Sequence, residues 1–142
     1  MPATFLVPFD VQWIGMAQAF TVLFVDDDDL VRGPLAELLK VHGVHVLTAR
    51  SALEAMRILG QEHVDVLFTD IVMPDQDGIE LARQAKQLQP DIRVMFATGY
   101  FSRAAMAAEL GNLLFKPVRA DEVEAALKDV LQDQARPKGE RH

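Results

Sequence analysis

The sequence predicts an α/β domain, a doubly wound (βα)5 unit, and three observations carry that prediction. Short β-branched runs alternate strictly with amphipathic helical patterns, the order of βαβ units around a parallel sheet. The runs are apolar throughout, which suits strands covered by helices on both faces. Polar residues gather where the runs end, the edge on which open parallel sheets place their ligands.

The five runs are TVLFV (21–25), VHVLT (44–48), VDVLFT (64–69), IRVMFA (92–97) and LLF (113–115). After the first, Val31, Leu35, Leu38 and Leu39 fall on one helical face at i, i+4, i+7 and i+8. Gly33 and Pro34 sit inside that pattern and predict a kink or a late helix start. The second helix carries Ala52, Ala55, Met56 and Leu59 inward, and Ser51 with Glu54 three residues on is a capping box that fixes its beginning. A third helix follows Gly78, buries Leu81, Ala85 and Leu88, and stops at Pro90. A short fourth helix runs from about Arg103 to Leu110 and is closed by Gly111. The fifth spans about Ala120 to Gln132, with Val123, Leu127, Val130 and Leu131 inward.

These boundaries divide the chain into an apolar N-terminal extension (1–20), one domain (21–132) and a disordered tail (133–142). The length of 142 residues suits a single domain that buries roughly 68–70% of its unfolded surface. Half the residues are apolar and a quarter charged, the balance of a folded domain rather than a disordered one. Fourteen Lys and Arg against 21 Asp and Glu give a net charge of −7, a field that repels nucleic acid and anionic membranes. The absence of cysteine excludes disulfides, thiolate catalysis and Cys-based metal centres, and a reducing cytoplasm is the expected compartment. The first 20 residues resemble a signal sequence only in apolarity, because the first basic residue of the chain is Arg32, and Pro2, Pro8 and Asp10 interrupt any membrane span. Phe5, Leu6, Phe9, Trp13, Ile14 and Phe20 make that stretch either a docking or dimerising segment or a mobile extension, and Met16 is an alternative start.

The chemistry lies at the strand ends. Asp26 and Asp27 follow the first run, Asp70 the third, Thr98 the fourth and Lys116 the fifth. Three carboxylates at one edge need a hard cation among them, and oxygen donors without Cys or clustered His point to magnesium. Asp70, fixed at the end of an apolar strand, is a plausible nucleophile toward a phosphoryl group. Magnesium, the Lys116 ammonium and the Thr98 hydroxyl can share the charge of its transition state. Asp28 and Asp29 serve to cap the first helix, leaving Asp26 and Asp27 for the site, while Asp75 and Asp77 read as turn formers before Gly78. His42 and His45 are expected to point apart and to bind no metal.

With VDDDD at 25–29, TDIVMPDQDG at 69–78, ATGY at 97–100 and FKP at 115–117, the sequence resembles the receiver domains of two-component response regulators over about Thr21 to Gln132. The resemblance implies a flavodoxin-like doubly wound fold with a five-stranded parallel sheet of order 2-1-3-4-5. It implies Asp70 as phosphoacceptor, a magnesium ion held by Asp26, Asp27, Asp70 and the backbone carbonyl of Val72, Thr98 as the switch hydroxyl, and Lys116 as the phosphate-pairing lysine. Pro117 implies a cis peptide after Lys116. The implied donor is a histidine kinase or histidine phosphotransfer protein; a homodimer is compatible, while direct nucleic-acid binding and membrane insertion are not expected. Apart from catalysing its own phosphorylation and dephosphorylation, a receiver is not an enzyme.

Departures from the family pattern are also visible. Leu113 stands where the aromatic switch usually stands, leaving Tyr100, Phe101 and Phe115 as the nearby aromatics. The stretch from Thr98 to Lys116 is short, as in receivers attached to hybrid histidine kinases. No output domain follows the fifth helix, which suggests a stand-alone receiver or one cut from a larger protein. Val72 and Tyr100 occupy the positions that control water access in the family, and their apolar and bulky side chains predict slow self-dephosphorylation. Two other readings are a pseudo-receiver that binds without phosphorylation and a haloacid-dehalogenase-like phosphatase with Asp26 as nucleophile and Asp28 as acid.

Overall fold

The computed structural model describes residues 20–100 and 104–135. The expectations for residues 1–19, for Phe101 and Arg103 and for the tail beyond residue 135 lie outside that range. Five strands, β1 (Thr21–Val25), β2 (His45–Ala49), β3 (Val66–Asp70), β4 (Arg93–Thr98) and β5 (Asn112–Phe115), alternate with five helices. The helices are α1 (Asp29–Val41), α2 (Ala52–Leu59), α3 (Gly78–Leu88), α4 (Ala104–Ala108) and α5 (Ala120–Ala135). All pairings are parallel and the order is β2-β1-β3-β4-β5, as expected.

Period-2 alternation sorts the strand side chains into two cores. Leu23, Val25, Leu67, Val94 and Phe96 pack under α2 and α3, with Ala107 of α4 joining them. Val22, Phe24, Val66, Phe68 and Met95 pack under α1 and α5, where the Phe24 and Phe68 rings lie 5.1 Å apart at 51°. Strands β1, β3 and β4 are buried almost throughout. Strand β5 is only half-buried, because it is the edge strand and its cover, α4, has five residues. The fourth helix ends at Ala108, two residues short of the predicted Leu110. Gly111 is required there by a close approach: a Cβ on it would lie 2.1 Å from the carbonyl oxygen of Val94.

Of the kink or late start predicted for the first helix, the late start is not found. Asp28 is its N-cap and accepts from the Leu30 amide at 2.9 Å, so the helix begins at Asp29 and continues through Pro34. The cap fixes the start, and burial of Leu35, Ala36 and Leu39 against the sheet offsets the i→i−4 bond that proline removes. The capping box of α2 is present in altered form: Ser51 Oγ accepts from Glu54 N at 3.0 Å, while the Glu54 carboxylate reaches past Ser51 to Arg50 N at 2.7 Å. Helix α5 reaches Ala135, three residues beyond the predicted Gln132. At the end of the sheet away from the site, Gln89 closes α3 onto α2. Its amide nitrogen donates to the carbonyls of Leu59 (2.9 Å) and Glu62 (2.8 Å), and its oxygen accepts from Val64 N at 2.9 Å.

Candidate functional site

The strand order reverses between β2-β1 and β3-β4-β5, so the crevice at the carboxyl ends of β1 and β3 is the natural ligand site. Asp26 follows β1 and Asp70 ends β3, and both are buried, 1% and 7% exposed. Asp27 is exposed beside them, and one carboxylate oxygen from each of the three lies within 4.8 Å of the others. Lys116, just past β5, reaches across this group: its Nζ donates to Asp70 Oδ2 at 3.0 Å and to Asp26 Oδ2 at 3.1 Å.

Local structure fixes each acid. Asp26 Oδ1 accepts from Asp28 N at 2.9 Å and its amide donates to Ala49 O at 3.1 Å. Its carbonyl accepts from the Arg32 guanidinium at 2.9 Å, and Arg32 also pairs with Asp29. Sequence reasoning gave Arg32 no such role. Asp70 is fixed by Gly78, since a Cβ there would lie 2.0 Å from the Asp70 carbonyl oxygen. The first turn of α3 therefore rests directly on the backbone of Asp70. Asp77 caps that helix, accepting from Ile79 N at 2.7 Å and Glu80 N at 3.1 Å, as a turn former before Gly78 should.

Asp75 does more than the turn-forming role assigned to it. Its carboxylate accepts from Ala52 N at 3.3 Å and Leu53 N at 3.0 Å, so the loop after β3 supplies a second cap to α2. Asp28, the acid of the phosphatase reading, is occupied as the cap of α1. His42 is buried and His45 exposed, and neither joins the acidic cluster.

Burial holds the Asp70 carboxyl above its usual pKa, an effect that Lys116 opposes and the neighbouring Asp26 reinforces. Burial works against the Lys116 charge too, but contact with Asp70 and Asp26 outweighs it and raises its pKa. The lysine thus acts as an internal counter-cation. It does not neutralise the cluster, because three carboxylates face one ammonium, and the remaining negative charge and hard oxygen donors suit a divalent cation such as magnesium.

Thr98 ends β4, one residue beyond Ala97, the register partner of Asp70, and its carbonyl accepts from Lys116 N at 2.8 Å. Its hydroxyl is buried and accepts from Tyr100 N at 3.0 Å. The Lys116–Pro117 peptide is cis, as expected. Val72 and Tyr100 are 44% and 59% exposed, and Leu113 packs half-buried against the α2–α3 core.

The sequence matches the family profile of the response regulator receiver domain over residues 22–128. The chain belongs to the response regulator receiver family. This receiver is 42% identical over 79 residues to the response regulator receiver protein CpdR of Brucella abortus, an alignment that covers 56% of this chain and 66% of CpdR. It is 36% identical over 121 residues to the sensor kinase CckA of the same organism, covering 80% of this chain and 13% of CckA. The receiver therefore spans less than two thirds of the length of either relative. A crystal structure of the response regulator protein TrrA from Thermotoga maritima, in complex with Mg(2+)-BeF, superposes with a TM-score of 0.73 at 25% identity, covering 78% of this chain and 98% of that one. Among the described residues, no helix is long and apolar enough to cross a membrane.

Proposed function

We propose that this receiver takes a phosphoryl group onto Asp70 from a phosphohistidine of a histidine kinase or phosphotransfer protein, and that the modified form changes its affinity for a partner. The observation that carries the reading is the contact of one ammonium, Lys116, with two buried carboxylates, Asp26 and Asp70, beside a third acid. In the transfer, an Asp70 carboxylate oxygen bonds to phosphorus as the phosphorus–nitrogen bond of the donor breaks. The imidazole leaves with the bonding pair and takes a proton from solvent.

Asp26, Asp27 and Asp70, with the carbonyl of Val72, would hold the magnesium ion, whose charge offsets that of the phosphoryl oxygens. Support for that ion comes from the oxygen donor set and from the similarity to TrrA, itself solved with Mg(2+)-BeF. Lys116 pairs with the phosphoryl oxygens once Asp70 carries the acyl phosphate, and the Thr98 hydroxyl, which accepts from Tyr100 N, donates its own hydrogen to the new group. The chain's catalysis is confined to its own phosphorylation and dephosphorylation, and its output is a population shift in partner binding. Residues 21–132 form the functional unit, between an apolar extension (1–20) and a tail (133–142). Its place is the cytoplasm, as a separate regulator or as part of a longer chain such as a hybrid kinase.

Intact mass after incubation with a small-molecule phosphodonor tests this, with and without magnesium, on the wild type and on Asp70→Asn. A magnesium-dependent gain of one phosphoryl group, absent in the variant, is expected. A folded wild type that gains none refutes it.

A further inference from the structure

We propose that an apolar groove beside the phosphorylation site is the seat of this chain's own N-terminal segment, residues 1–19. The groove has a volume of about 610 Å3 and is lined by Val31, Pro34, Leu35 and Leu38 of α1 and by Pro117 and Val118 after β5. Among the described residues, Lys116 is the only charged side chain that lines it. Leu30, one helical turn before Pro34 and so on the same side of α1, is 85% exposed. An open apolar surface of this kind calls for a cover.

The segment has the matching chemistry. It holds Phe5, Leu6, Phe9, Trp13 and Ile14, a single ionisable side chain in Asp10, and no lysine or arginine. The point where the chain enters the fold supplies the connection: Phe20 is half-buried against the α1–α5 core, the same cluster whose margin is formed by Val31, Leu38 and Val118 of the groove. Reach is not limiting, since 19 residues can extend up to roughly 60 Å and α1, with 13 residues, is only about 20 Å long.

Charge and tethering select this occupant over a second copy of the chain. Two molecules of net charge −7 repel one another. A segment joined to β1 by a few residues is present at its groove at an effective concentration in the millimolar range.

Trp13 is the only tryptophan of the chain and reports the seat directly. In the full chain its emission is expected to be blue-shifted, with an acrylamide quenching constant several-fold below that of free N-acetyltryptophanamide, at every protein concentration tried. Leu38→Glu in the groove should restore the solvent-exposed signal with the circular dichroism unchanged. Leu53→Glu, on the exposed side of α2, should leave the signal as in the wild type. If Leu38→Glu does not fold, a photo-crosslinker at position 9 of the otherwise native chain replaces it, and crosslinks within 30–41 or 116–119 are expected. The proposal is overturned by a solvent-exposed Trp13 in the wild type, by a blue shift that survives Leu38→Glu, by crosslinks confined to other regions, or by a native protein whose mass begins at Met16. A blue shift that grows with concentration alongside a dimer overturns it in favour of a second copy.

Discussion

Replacing Lys116 by methionine keeps most of the side-chain volume and removes only the charge that separates Asp26 from Asp70. The ammonium contacts the two acids at 3.1 and 3.0 Å, and both acids are nearly inaccessible to water. Removing one partner of a fully buried pair costs about 3–5 kcal/mol. The Lys116 side chain is 28% exposed, so water already screens part of the interaction, and about 2–3 kcal/mol is the expected loss at neutral pH in the absence of metal. For a domain of this size that lowers Tm by about 8–12 °C.

The pH dependence follows from the acids. Burial already raises the Asp70 pKa, and without its counter-cation the rise is larger, so the variant loses stability as pH climbs through the folded pKa of that group. The gap between wild type and variant should therefore be widest at neutral pH and close on acidification toward the ordinary carboxylate range. Magnesium should also narrow it, since a divalent cation replaces the ammonium among the same oxygens. Urea unfolding over a series of pH values, in chelator and then in magnesium, measures all three effects. Equal stability of the two proteins at neutral pH without metal, or a gap that widens on acidification, refutes the counter-cation argument.

Three further outcomes are expected. Gly78→Ala forces a Cβ to within 2.0 Å of the Asp70 carbonyl oxygen; it should cost about 1–3 kcal/mol in urea unfolding and slow phosphorylation, whereas Gly60→Ala, whose Cβ meets only ordinary contacts at 3.5 Å, should leave phosphorylation unchanged. In thermal unfolding, magnesium at about 100 times its Kd should stabilise the wild type by about 2.7 kcal/mol; Asp27→Asn, at an exposed carboxylate, should abolish that gain while changing metal-free stability by no more than about 0.5 kcal/mol. Val72→Asn places a polar side chain at the exposed mouth of the site and should speed loss of the acyl phosphate, followed by intact mass after removal of the donor; an unchanged or slower decay counts against shielding by Val72.

The sequence carried the sheet, its alternation and the convergence of Asp26, Asp27, Asp70 and Lys116, because apolar runs and the polar residues that end them are local signals. Ladder ends were less legible. Strand β2 extends to Ala49, whose carbonyl accepts from Asp26 N, and β4 extends to Thr98, whose carbonyl accepts from Lys116 N. Both bonds reach across the fold and leave no trace in a neighbouring residue. The same holds for Asp75, whose partners lie 22 and 23 residues earlier, and for Gly78, read as a helix start although its small size serves a contact with Asp70 through space. Arg32 has a clearer signal, a lone basic residue one turn past four acids. A late start, one of the two outcomes expected at Gly33-Pro34, weighed a local breaker above the Asp28 cap and the buried face beyond it, and the two-sided cover expected of the apolar runs overlooked the place of the last strand at the sheet edge.

The two side chains that flank α3 both reach across to α2. Asp75, ahead of it, holds the first amides of that helix, and Gln89, behind it, holds the carbonyls at its far end. A layer stapled at top and bottom moves as one leaf, so amide exchange in α2 and α3 should open in a single cooperative event. A displacement of the loop between Asp70 and Gly78 then cannot remain in the loop. It withdraws acceptors from the first turn of α2 and is felt as fraying in a helix that supplies no group to the acidic cluster.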